Sequence, residues 1–316
     1  MESYFSNKSF IKIMAKWKYH LLGVAVIAII LSTVFSSSRF IKPKFKSVGV
    51  VYPINIYTYS EESETEQMLQ MVNSSDIRQK LVKDFNLYKH YKIDPKTKYA
   101  QTYINAILDD NVNFRKTEYE SVEIKVLDIN PEIASNMVDS LISYYNHKVA
   151  ELHKTKYKEV LTIAANAMED KMMQIDSLEK KIIDIRLKYG LIDFDIQAKE
   201  LSKGQVRILS EGKANNPQSK EVLKLVDNLK EKGEELRSIN DYLINNRKSY
   251  DSLQVVLDKA KAGCNKKITY AQVVSHPFPA DKKSYPIRWI IVLFSTISAV
   301  LMAIFVIAFI ESKRNN

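Results

Sequence analysis

A chain of 316 residues with 46% apolar content is long enough to bury a substantial core, and its seven glycines leave little material for phosphate-cradling loops. A formal net charge of +10 would suggest nucleic acid in a cytosolic protein. The apolar segments described next place most of this chain outside the cytosol, where no nucleic acid is expected, anionic glycans or lipid headgroups fit better, and lysines that solvate long helices are the plainer account.

From Leu21 to Phe35 the sequence carries no charge, and Trp17, Tyr19, Phe40 and Ile41 flank it as interfacial residues do. The spacing predicts a first transmembrane helix over residues 20–38. Lysines before it and Ser36, Ser37 and Ser38 after it also fit a cleaved signal peptide. From Trp289 to Ile310, 22 residues pass without a charge, enough at about 1.5 Å per residue to cross a hydrocarbon core of about 30 Å. Lys8, Lys12, Lys16 and Lys18 before the first span balance Arg39, Lys42, Lys44 and Lys46 after it. Local charge therefore does not orient the chain. An even number of spans keeps both tails (1–19 and 311–316) together, and a long loop translocates largely regardless of charge, so both termini are expected in the cytoplasm.

Between the spans, 39–130 reads as a basal α/β domain. Lys44 to Tyr59 is rich in valine, isoleucine and tyrosine and reads as a strand interrupted at Pro53. Glu61 to Leu87 reads as two amphipathic helices divided by a cap at Ser74 or Ser75, and Thr97 to Leu108 as another. Asn111 to Phe114 and Ser121 to Leu127 read as strands, the second with Val122, Ile124 and Val126 on one face.

After Asp128 the strand signal fades. Asn130 and Pro131 form a cap and first-turn pair, and no proline follows until Pro217, so one helix can run to Tyr189 over about 85 to 90 Å. Its later half spaces Leu161, Ala164, Met168, Met172, Ile175, Leu178, Ile182, Ile185 and Tyr189 as a coiled-coil-like seam. Gly190 ends it. A tip over 190–216 holds Gly204, Gly212 and one short helix beginning near Asp193 or Asp195. Asn216 and Pro217 then open a returning helix with its own stripe through Val226, Leu236, Leu243, Asn246 and Tyr250, ending at Gly263. The pair makes a helical hairpin over 131–263. Residues 264–276 contain a strand, Lys267 to Ser275, able to rejoin the basal domain.

The chain lacks the glycine-rich nucleotide signatures and the nucleophile elbow, and acidic pairs such as Asp109 with Asp110 read as turn residues. No catalytic residue, cofactor or metal is assigned. The single cysteine, Cys264, excludes an internal disulfide, and with five scattered histidines gives no ligand spacing. Six residues follow the second span, so no output domain of a two-pass sensor is expected there. Two features remain. Residues 277–288 hold Pro277, Pro279, Ser284, Pro286 and Arg288, and prolines that fix φ and remove donors make a stiff elbow leading into the second span, where the plain alternative is a simple linker. Small residues recur four apart in both spans, Ala28, Ser32 and Ser36 in the first and Ser295, Ala299 and Ala303 in the second, a pattern that lets membrane helices approach closely and that composition alone can also produce. The 18 tyrosines include Tyr57, Tyr88 and Tyr103, which either stack on sugars or bury in the base.

The order of these parts resembles the polysaccharide co-polymerases, or Wzz-type chain-length determinant proteins, over nearly the whole chain. Pro277, Pro279, Ser284, Pro286 and Arg288 stand where the family carries its proline-rich motif. Tyr285 separates serine from proline where many members have them adjacent, and Ser295 or Ala299 stands where many carry a glycine. The resemblance implies an α+β membrane protein of the bacterial inner membrane: two transmembrane helices flank a periplasmic basal α/β domain with a long antiparallel helical hairpin, without the kinase domain that some relatives add. It implies a homo-oligomer that sets the length of a surface polysaccharide, such as the O-antigen of lipopolysaccharide, alongside a polymerase and its lipid-linked glycan. A structural membrane tether or adaptor for polysaccharide export is the alternative from another class.

Overall fold

The computed structural model describes residues 14–58 and 60–314, with side chains to Glu311. Lys8, Lys12, Tyr59 and the last residues of the C-terminal tail lie outside the described residues. The elements in chain order are α1 (Lys18–Phe35), β1 (Phe45–Pro53), α2 (Glu64–Val72), α3 (Ser75–Asp84), α4 (Leu87–His90), α5 (Ala100–Asn111), β2 (Val112–Lys116), β3 (Val122–Asp128), α6 (Pro131–Tyr189), α7 (Phe194–Ser210), α8 (Pro217–Asn265), β4 (Ala271–Ser275) and α9 (Arg288–Arg314). They form two compact units. One holds the described residues up to Val149 together with those from Ile268 onward, the other Ala150–Lys267.

In the first unit the sheet order is β2-β3-β1-β4, with every neighbouring pair antiparallel. Alternation decides which face is covered. Ser47, Gly49 and Val51 of β1 and Val122, Ile124 and Val126 of β3 are buried, whereas the residues between them are partly or fully open. Gly49 pairs with Ile124, so these two share a face. The first five turns of α6 lie against that face: Val138 Cγ1 would stand 2.8 Å from a Cβ placed on Gly49, and Ile142 Cδ1 3.6 Å from it. Glycine at this position allows the helix its close approach. Met137, Leu141 and Tyr145, all from α6, complete the core with Met68, Leu81, Ile104 and Leu108. The boundary between the units therefore falls inside α6, at Val149, because its first turns belong to the sheet's core.

Local chemistry sets the ends of the elements. Ser63 accepts from the Glu66 amide while the Glu66 carboxylate accepts from the Ser63 amide, a capping box that opens α2. β1 ends at Pro53, which cannot donate to a ladder, where an interruption was expected. α4 is a single turn opened by Asn86 in the left-handed region, with no period to announce it. Asn130 Oδ1 accepts from the Glu132 amide at 2.9 Å and starts α6 at Pro131.

In the second unit α6 ends at Tyr189, with Gly190 at φ +70°, where the left-handed backbone favours glycine. Gln197 closes the turn: its Oε1 accepts from the Ile192 and Asp193 amides and its Nε2 donates to the Gly190 carbonyl. α7 runs 17 residues, longer than the short helix expected, and Gly204 lies within it. Asn216 Oδ1 accepts from the Gln218 amide and Pro217 occupies the first turn of α8. The seam between α6 and α8 buries Ile175, Ile182, Ile185 and Leu191 with Leu236, Ile239 and Leu243. Met172, assigned to the seam by spacing, is 41% exposed; at this level Lys171 Nζ donates to Asn246 Oδ1 across the two helices at 2.9 Å.

Two outcomes follow from this packing. Gly49→Ala should lower the melting temperature of the full chain in detergent, since overpacking costs about 1 to 3 kcal/mol where the opposing Val138 cannot give way. Trimming Val138 to alanine in the same chain should recover part of the loss. Partial burial, with Lys156 and Lys266 nearby, holds the His153 imidazole below its ordinary value. A lowered histidine contributes stability that is present above its unfolded value, about 6.5, and lost as the pH falls through that range. Thermal melts at pH 7.5 and 5 should therefore differ less for His153→Gln than for the parent chain.

Candidate functional site

The chain brings its two apolar helices together. α1 and α9 pack against each other, and Ala28 and Ser32 of α1, with Ser36 just past its end, face Ser295 and Ala299 of α9 around a crevice of about 460 Å³ that also touches Leu31, Phe35, Ile41 and Ile291. Ser32 and Ser36 are buried; Ala303 is half-buried and lies outside the crevice. The hydroxyls spend their hydrogen bonds locally, Ser32 on the Ile29 carbonyl and Ser295 on the Ile291 and Val292 carbonyls, so they need no polar partner across the crevice. Almost all the remaining apolar surface is uncovered. Little of either helix is buried, with Val26, Ile27, Ile30, Leu293, Phe294, Phe305 and Phe309 exposed, whereas the core helix of a water-soluble protein hides such side chains. At the outer ends Lys16 Nζ forms an ion pair with Glu311, and Trp17 Nε1 donates to Glu311 Oε2 at 3.3 Å. The start of α1 and the end of α9 thus lie side by side.

The proline segment runs back along the start of β1. β4 pairs with β1 through a bulge between Val50 and Val51, and the chain beyond Ser275 continues beside Ser47, whose buried Oγ donates to the Phe278 carbonyl at 3.0 Å. Lys44 makes the next contacts. Its amide donates to the Tyr285 carbonyl at 3.0 Å, its carbonyl accepts from the Ser284 amide at 2.9 Å, and its ammonium lies 5.9 Å from the centre of the Tyr285 ring. Pro286 follows a cis peptide bond and is buried; Pro277 is half-buried, and Pro279, Ser284 and Arg288 are exposed. The five motif residues therefore do not converge on one point. They are strung along a clasp whose other half, Lys44 and Ser47, no motif in the sequence marks, because the partnership joins residues more than two hundred positions apart.

Behind the clasp lies a buried polar cluster. Lys44 Nζ donates to Asn111 Oδ1 at 2.6 Å. Asp128, its carboxylate fully enclosed at the end of β3, accepts from Tyr91 Oη at 2.6 Å and the Asn130 amide at 2.8 Å, and lies 2.9 Å from His90 Nε2. Burial, and then the bond to Asp128, push the Tyr91 hydroxyl well above the ordinary phenol range, so it stays a donor at any physiological pH. Among the described residues no group of three or more metal-ligating side chains gathers. Of the three tyrosines singled out above, Tyr57 and Tyr103 are exposed, and Tyr88 donates its hydroxyl to Gln101.

Asp128→Ala would leave His90 and Tyr91 without their buried acceptor. Each orphaned polar group costs about 1 to 3 kcal/mol, so this variant should unfold at a clearly lower temperature than Asp109→Ala, whose carboxylate is 60% exposed. Thermal denaturation of both variants in the same detergent measures the difference.

No protein-family model matches the chain, and no curated protein matches it. Solved structures similar to it do exist. A full-length bacterial polysaccharide co-polymerase aligns over 96% of this chain and 97% of its own length, at 10% identity and a TM-score of 0.45. A mutant of the lipopolysaccharide O-antigen chain-length regulator of Shigella flexneri aligns over 76% of this chain and 100% of its own, at 10% identity and a TM-score of 0.32. A fragment of the polysaccharide co-polymerase WzzB from Salmonella Typhimurium aligns over 77% and 100%, at 12% identity and a TM-score of 0.30.

Proposed function

We propose that this chain is a polysaccharide co-polymerase: a non-catalytic, two-span protein of the bacterial inner membrane that sets the length of a surface glycan, such as the O-antigen of lipopolysaccharide, alongside a separate polymerase. One observation carries the reading. The strand that follows the first apolar helix and the strand that precedes the second are neighbours in a single sheet, and the chain between them adds the other two strands and then a long hairpin of helices. A protein built this way can enter a bilayer twice at one place and keep everything else outside it.

In this reading both tails are cytoplasmic and the sheet and hairpin are periplasmic. The hairpin keeps exposed apolar side chains along its length, among them Ile163, Ile183, Leu187 and Val255, which further copies of the chain would cover in an oligomer. The clasp from Pro277 to Arg288 sets how the sheet is carried on the second span, and the small residues of α1 and α9 set how closely the spans lie.

Deleting the gene should change the modal length of the surface glycan on a gel, and restoring the chain should return it. Loss of export with the length distribution unaltered would assign the chain to the adaptor class instead. Pro286→Ala should shift the ladder while membrane insertion is unimpaired; an unmoved ladder removes the clasp from the mechanism. In mild detergent the protein should run at a multiple of its 36.5 kDa mass, and a monomer would rule out control by oligomer geometry.

A further inference from the structure

Within the helical unit the seam between α6 and α8 opens on one flank into a groove of about 510 Å³. Helical spacing builds it. Asp170, Gln174 and Ser177 follow one another at steps of four and three along α6, and Tyr242 and Asn246 stand four apart on α8. Tyr242 is 62% exposed and Met173 58% exposed, so a flat aromatic ring and a soft thioether both stand open to solvent above a floor formed by Leu178.

The polar groups are partly committed and partly open. Lys171 Nζ donates to both Gln174 Oε1 and Asn246 Oδ1 at 2.9 Å, and Asn246 Nδ2 donates to the Tyr242 carbonyl at 2.8 Å. This fixes the two amides in place. As a polar bridge in an otherwise apolar seam it also sets the register of the two helices, but register requires neither the open ring of Tyr242 nor the carboxylate of Asp170 at the rim. Gln174 retains its amide donors, and the Asp170 carboxylate, the Ser177 hydroxyl and the Tyr242 hydroxyl form no hydrogen bond within the described chain.

We propose that this groove binds a short stretch of glycan, with the Tyr242 ring against the apolar face of one sugar and Asp170, Gln174 and Ser177 taking the hydroxyls along its rim. The chemistry selects the ligand. A pyranose offers a face of C–H groups edged by hydroxyls that both donate and accept, and an exposed aromatic ring beside fixed amide, hydroxyl and carboxylate groups complements both parts. A phosphate or other anion finds its cation already shared between two amides and a carboxylate close by. A greasy peptide finds Leu178 and Met173 but also a rim of polar groups it would leave unpaired. The groove is shallow and open to solvent, unlike a site that encloses a small molecule, and this suits a polymer that enters and leaves without a free end. The choice of a glycan rests on the function proposed above; the geometry of the groove does not.

The test uses the full chain in lipid nanodiscs and, as probe, oligosaccharide fragments released by mild acid from the surface polysaccharide of the cells that carry the protein. Saturation-transfer NMR should show contact between fragments and protein, and titration should give at least tenfold weaker binding for Tyr242→Ala and near-normal binding for Tyr242→Phe. Tyr119→Ala, an exposed tyrosine outside the helical unit, should bind as the parent does. Tyr242 is exposed, so its loss should not unfold the hairpin, and circular dichroism checks this. Absence of binding by the parent chain, or binding that Tyr242→Ala leaves intact, overturns the site. Neither result touches the effect of gene deletion on glycan length, and a deletion without effect would leave a binding groove in need of another role.

Discussion

The pairing of β4 with β1 is the constraint on which the first unit depends. β1 begins soon after one apolar helix and β4 ends shortly before the other, so their antiparallel ladder closes most of the chain into a loop. Closing so long a loop costs conformational entropy that grows only logarithmically with length, but a ladder this short recovers little of it alone. The rest of the closure lies beyond the ladder. Ser47 holds Phe278, Lys44 holds Ser284 and Tyr285, and the serine and alanine faces of the two apolar helices continue the contact. Strand, clasp and helix pair are successive parts of one seam, and each shortens the distance the next must span.

Much of the fold could be read from residues whose effect is local. Asn130, Pro131 and Gly190 bound α6 because a side-chain acceptor, a fixed φ and a left-handed backbone act within a turn of where they stand. Alternation of Val122, Ile124 and Val126 gave the buried face of β3 for the same reason. Local rules failed where tertiary packing overrode them. Gly204 has a low helix propensity and favours a short helix in the tip, yet the helix runs 17 residues and passes through it, since a helix docked on α8 tolerates one glycine at a cost of about 1 kcal/mol. Met172 kept the heptad spacing but lost the seam to Lys171, whose bond to Asn246 no spacing rule foresees.

The polar clusters were the least legible part. Asp128 and His90 carry no motif, and their partnership exists only because β3 and α4 end at the same place. The proline motif was visible, but its role as half of a clasp was not, since Lys44 and Ser47 look like ordinary residues of a strand's beginning. The groove at Tyr242 belongs to the same class: helical spacing on each side is plain, yet only the register between α6 and α8 shows which faces meet.

The two apolar helices are fastened at both extremities, by Lys16 and Trp17 on Glu311 at one end and by the strand-borne contacts of Lys44 with Ser284 and Tyr285 at the other. Sliding one member of the pair by a single turn would break both attachments together, so the two fastenings oppose shear. Under the membrane placement proposed above, a force delivered through the sheet would reach the pair at both ends at once and move it as a tilt or swivel about a common axis, not as a slide.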